Sequence, residues 1–145
     1  MKRRCQKMDK YGIEATLSYG SETEKIELLS HLCDVFESYN KNIKGFDEIV
    51  QMLVNLTVKP DDRISDDIID TILTAQINQD ISNINFDIVD EHLETAPTHI
   101  LPRFIEILSY TYNRKYIPSI VRFKDHKDAY IKQAVEDAII ELGGL

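Results

Sequence analysis

With 145 residues and a net charge of -8, the chain is long enough to bury one sizeable core without disulfides or metals. Its hydrophobic content of 43% is that of a globular protein, and its two cysteines, Cys5 and Cys33, form no recognisable framework. The acidic balance disfavours direct nucleic-acid binding, because a field of that sign repels phosphate backbones and attracts basic partners.

The charge is unevenly placed. Residues 1–12, MKRRCQKMDKYG, hold five bases against Asp9, and no apolar run follows them. No signal peptide or membrane span is therefore expected, and the cytoplasm is the expected address. Residues 1–20 read as a basic tail and lead-in, and residues 21–145 as a single helical domain. A second reading has the basic segment fold back to screen the acidic middle. That middle, residues 61–94, holds ten acids and one base, Arg63.

Helical periodicity dominates, without strand alternation of useful length. Ser21 and Glu24 make an S-x-x-E capping box, which predicts a helix through about Asn40 with Ile26, Leu29, Leu32, Cys33 and Phe36 on one face. Gly45 punctuates the chain. Phe46, Ile49, Val50, Leu53 and Leu56 form the next stripe, which must end before Pro60 because proline disfavours helix at the residue before it. After the elbow VKPDDR, Ser65 is the expected N-cap of a helix with Ile68, Ile69, Ile72 and Leu73 inward. The polar stretch NQDISN ends that unit.

Phe86, Val89 and Leu93 then mark a short helix stopped near Pro97. A longer helix is expected from near Thr98, with Leu101, Phe104, Ile105, Leu108 and Tyr112 inward and Pro102 in its first turn, where a missing amide donor costs little. Ile117, Ile120 and Val121 form the inner face of the next helix. Asp125 or Asp128 caps the last one, with Ile131, Val135, Ala138, Ile139 and Leu142 inward and Gly143 and Gly144 as terminator.

The openings FDEIV from Phe46, FDIVD from Phe86 and YIPSIV from Tyr116 align three helix pairs, spaced by 40 and 30 residues. Stacked helical hairpins repeat over such distances. One pair alone leaves an apolar side exposed, so the expectation is all-α: a short HEAT-like superhelix of about three pairs, with the helix from Ser21 capping one end. A compact irregular bundle is the alternative.

The terminal unit resembles a HEAT repeat in Pro118 early in its first helix, Asp125 in the elbow, and Ile131 and Lys132 early in its second. The run ILPRFIEILSYTYNRKYIPSIVRF, followed by KDHKDAYIKQAVEDAI, resembles the C-terminal half of small helical immunity proteins. These are antidotes encoded beside polymorphic or contact-dependent growth-inhibition toxins of bacteria. The resemblance implies a protein that binds one cognate toxin domain and blocks its active site or substrate channel, with no chemistry or cofactor of its own. It transfers no individual functional residues.

Other chemistries find weaker support in the residues. Asp67-x-x-Asp70 and Asp87-x-x-Asp90 place carboxylates on adjacent helical turns, where a magnesium ion could bridge them, but the spacing is far more often that of a solvated acidic face and no basic phosphate-binding group accompanies it. His31 and Cys33 are two apart and point different ways on a helix, while His92, His99 and His126 lack partners at ligand spacing. Cys5 sits in a basic stretch that would lower its thiol pKa but lacks a positioned base.

The interaction reading is the stronger one. In stacked pairs the second helices line one face, whose outward residues here are Asp66, Asp67, Asp70 and Thr74, then His99, Arg103, Glu106 and Tyr110, then Gln133, Glu136 and Asp137. Such a face suits a basic protein partner, with Tyr and Arg as anchors and carboxylates as steering charge. An adaptor or scaffold would use the same surface.

Overall fold

In the computed structural model, residues 9–59 and 63–144 are described, and they contain helices and connections but no strand. The helices are α1 (Lys10–Tyr19), α2 (Glu22–Glu37), α3 (Phe46–Leu56), α4 (Ser65–Asn78), α5 (Asp87–Glu91), α6 (Leu101–Ser109), α7 (Ile117–Val121) and α8 (Ala129–Glu141). A 3-10 turn, Arg114–Tyr116, leads into α7.

At α1, α2 and α8 a side chain satisfies orphan amides of the first turn. Asp9 Oδ1 accepts from the Gly12 amide at 2.8 Å and opens α1. At α2 both arms of the capping box form: Glu24 N–H donates to Ser21 Oγ at 3.1 Å, and Ser21 N–H to Glu24 Oε1 at 2.8 Å. Asp128, not Asp125, caps α8 by accepting from Tyr130 and Ile131. Ser65 is the first residue of α4 and Ile64 takes the cap position. Pro102 and Pro118 stand in the first turns of α6 and α7.

The last helix ends in a paired left-handed turn. Gly143 and Gly144 adopt φ of 97° and 83°, and their amides donate back to Ile140 O at 3.1 Å and Ile139 O at 2.7 Å. Arg114 Nη1 donates to the Leu142 carbonyl at 2.8 Å and satisfies one more acceptor there.

Each even-numbered helix packs on the odd-numbered one before it, giving four pairs in a repeat-like stack. The even helices form one row: α2 runs along α4, α4 meets α6, and α6 runs along α8. On the other side α1 meets α3 and α3 meets α5. One core runs the length of the stack, from Phe36, Val50 and Leu53 through Ile69 and Ile72 to Ile105, Leu108, Ile131 and Val135, all fully buried. Each such side chain contributes about 1.5–3 kcal/mol. Phe36 and Phe46 meet edge to face at 5.3 Å and lock α2 onto the start of α3.

Side-chain amides stitch the rows where helix packing alone leaves backbone groups unpaired. Gln76 Nε2 donates to the Ile107 carbonyl at 2.8 Å, joining α4 to α6. Gln51 makes two bonds to the backbone of Asn85 and holds the approach to α5 against α3. Thr71 donates to Asp67 O at 2.8 Å and accepts from the Cys33 thiol at 3.4 Å, so that cysteine packs between α2 and α4.

The all-α expectation holds, but the N-terminal part is corrected. Residues 10–19 are not a tail: they form α1, whose Ile13 and Leu17 are buried against α2 and α3. The helix from Glu22 is therefore the second member of a first pair, not a lone cap. The bases of residues 1–8, and with them the fold-back reading, lie outside the described residues, as do Pro60, Asp61 and Asp62 of the elbow. Ile26 is 37% exposed because no described residue covers that flank of α2 at the end of the row. Tyr112 is 60% exposed because α6 stops at Ser109 and the chain turns, with Tyr112 itself at φ 54°.

Candidate partner-binding groove

Burial of Phe104, Ile105 and Leu108 turns the opposite side of α6 outward. His99, just before the helix, follows the same face with Arg103, Glu106 and Tyr110. On α8, burial of Ile131, Val135 and Leu142 likewise turns out Tyr130, Gln133, Asp137 and Glu141. The two outward faces border an open groove of about 750 Å³. Between them stand only small side chains, Pro102, Ser109, Ala134 and Ala138, which is why the space is not filled from within.

The groove is acidic. Glu106, Asp128, Asp137 and Glu141 line it against one cation, Arg103. That cation is already engaged: Arg103 Nη2 is paired with Asp70 Oδ1, and Nη1 lies 3.6 Å from Asp66. The four lining carboxylates form no ion pair among the described residues. Asp137 accepts from Gln133 Nε2 at 2.9 Å, and Glu141 accepts from the Tyr112 hydroxyl at 3.0 Å. The bond to Glu141 pushes the Tyr112 pKa up, with partial burial adding to it. Tyr110, which lines the groove, meets Tyr112 edge to face at 6.3 Å.

The acidic surface continues onto α4. Asp66 and Asp70 are exposed, and Asp67, half-buried between them, has its carboxyl pKa raised by desolvation first and then by the charges of Asp70, Asp66 and Glu22. Thr74 Oγ1 donates to the Asp70 carbonyl at 2.8 Å.

Of the residues selected from the sequence, the groove gathers His99, Arg103, Glu106, Tyr110, Gln133 and Asp137. Arg103 connects them to Asp66 and Asp70. Asp67 and Thr74 stay on α4, and Glu136 is exposed on α8 outside the groove lining. Sequence reasoning missed Tyr130, Asp128 and Glu141. Their signal is present in the spacing of Tyr130, Gln133, Asp137 and Glu141, at steps of three, four and four, which is one continuous helical face.

Neither Asp-x-x-Asp pair is a free ligand set, since Asp70 is held by Arg103, and Asp87 by Tyr116 and Lys115. Among the described residues, no group of three or more His, Cys, Asp or Glu side chains is placed to hold a metal ion. No described helix is long and apolar enough to cross a membrane.

Fold and groove together define an all-helical protein of four stacked pairs with an acid-lined, tyrosine-flanked groove between its last two even-numbered helices. Compared with protein-family models, curated proteins and solved structures, the chain matches none.

Proposed function

We propose that the chain is a cytoplasmic immunity protein that binds a cognate bacterial toxin domain and neutralises it by covering its active site or substrate groove, with no chemistry of its own. The observation that carries this reading is the set of carboxylates without an ion pair in the α6–α8 groove, continued on α4 by Asp67 and by Asp66 and Asp70, which Arg103 engages. A basic toxin surface, such as the substrate channel of a nuclease, is its electrostatic complement. The carboxylates take the places of nucleic-acid phosphates, and the field speeds encounter by about 10- to 1,000-fold at low salt. The stacked pairs suit the HEAT-like resemblance of the terminal unit, in which a row of second helices presents one continuous face.

The test is co-expression with the C-terminal domain of whatever large reading frame lies immediately upstream, scoring growth and co-purification. Rescue with a stable complex is the expected result. Binding to a basic protein without any toxicity to relieve would transfer the groove to an adaptor. A complex that persists after Asp66, Asp67 and Asp70 are all replaced by Lys, and whose association is indifferent to salt, would remove the electrostatic mechanism.

A further inference from the structure

Two junctions link the last three even-numbered helices, and they differ chemically. Between α4 and α6, Arg103 reaches across to Asp70 and Asp66, so the acid of one helix meets the guanidinium of the next. Between α6 and α8, acid stands on both walls, Glu106 on one and Asp137 and Glu141 on the other, and the one cation that borders the groove, Arg103, is turned to Asp70 and Asp66. Here α8 presents Ala134 and Ala138 where an arginine would close the junction, and the space stays open. Tyr130, 82% exposed, stands on its rim.

We propose that this groove takes an arginine side chain from a basic segment of the partner, an inference that rests on reading the groove as the partner site. The guanidinium fills the chemical role at the α6–α8 junction that Arg103 fills at the α4–α6 junction. A planar, weakly hydrated guanidinium lies flat on a tyrosine ring while its fork of donors engages two carboxylates, a geometry that a compact, strongly hydrated ammonium matches less well. Its methylene stem lies along the partly exposed Ala134, so apolar surface is covered while the charge reaches Glu106 and Asp137.

The experiment is an amide NMR titration of the full chain with a blocked glycine–arginine–glycine–arginine peptide and its lysine and citrulline counterparts. The expected result is saturable shifts centred on Tyr110, Tyr130 and Asp137. Arginine should bind at least about tenfold tighter than citrulline and measurably tighter than lysine. The double variant E106Q/D137N, whose substitutions are at exposed positions and should preserve the spectrum of the fold, should lose about tenfold in arginine affinity. Three results overturn the proposal: no saturable shift, equal binding by lysine, or shifts as large at Asp47 and Glu48 on α3 as in the groove. The parent reading is separable. Growth rescue that survives E106Q/D137N keeps the immunity role and removes the arginine site, whereas arginine binding without rescue does the reverse.

Discussion

The hydroxyl of Tyr116, a residue only 4% exposed, donates to Asp87 Oδ1 across 2.7 Å, and Lys115 Nζ reaches the same oxygen at 3.0 Å. This cluster fastens the turn before α7 to the start of α5, so the third and fourth helix pairs share a polar clasp beside their apolar core. The Tyr116 hydrogen bond and then Lys115 hold the Asp87 carboxyl below its ordinary pKa, while burial and then Asp87 push the Tyr116 hydroxyl well above its own.

A pH dependence follows from those directions. Asp87 has the lower pKa in the folded state, so its contribution is full above the ordinary carboxylate range and is lost as pH falls below about 4. Tyr116 has the higher pKa when folded, so its contribution is full below about pH 10 and declines above it. Y116F should cost about 1 kcal/mol near neutrality, and the gap to the parent should narrow at both extremes. Urea unfolding of both proteins across the pH range measures it; a gap that stays constant would remove the clasp from the account.

Replacing Ile13 or Leu17 with Ala should destabilise the protein by about 2–4 kcal/mol, because α1 fills one end of the core. Asp9→Ala should cost about 1 kcal/mol through its lost cap. If residues 9–19 behaved as a tail, no denaturation midpoint would move.

That helix shows where sequence stopped being enough. Ser21 with Glu24, Gly45, Pro102 and the final glycines were legible because each solves a local backbone problem, an orphan amide, a positive φ or a missing donor, with a residue type specific to it. Ile13 and Leu17 are the only large aliphatic positions in the ten residues of α1, and the bases just upstream dominate the reading of that stretch. Asp9 at cap spacing was the available signal. For the groove, the outward face of α6 was legible as a periodic stripe. What escaped was the depth between α6 and α8, because it depends on Ala134, which reads simply as a good helix former, and on Ala138, which reads only as an inward position of α8.

Gln76 offers a test of how α4 holds α6. It is 7% exposed, its Nε2 bonds the Ile107 carbonyl, and its Oε1 has no partner among the described residues. Gln76→Met keeps the volume, loses one bond and removes an unsatisfied acceptor, so it should stay within about 1 kcal/mol of the parent. Gln76→Ala adds a cavity and should cost about 2–3 kcal/mol. Equal losses in the two variants, read by chemical denaturation, would contradict this division.

Arg103→Ala should cost no more than about 1 kcal/mol, since Asp66 and Asp70 are exposed and their pairing with it is screened. The same change frees two carboxylates and makes the surface more negative. Association with a basic partner should therefore become steeper in its dependence on salt, a difference that stopped-flow measurements at several ionic strengths would resolve.

The even-numbered row is not uniformly joined. α2 lies along α4 and α6 along α8 over broad fronts, whereas α4 meets α6 over a narrow one that Gln76 and Arg103 bridge. The narrow α4–α6 front is thus the seam of the even-numbered row, and it should open before the broad fronts do. Amide protons of α1–α4 and of α5–α8 would then exchange with solvent as two separate sets. A partner seated in the groove would slow the second set more than the first.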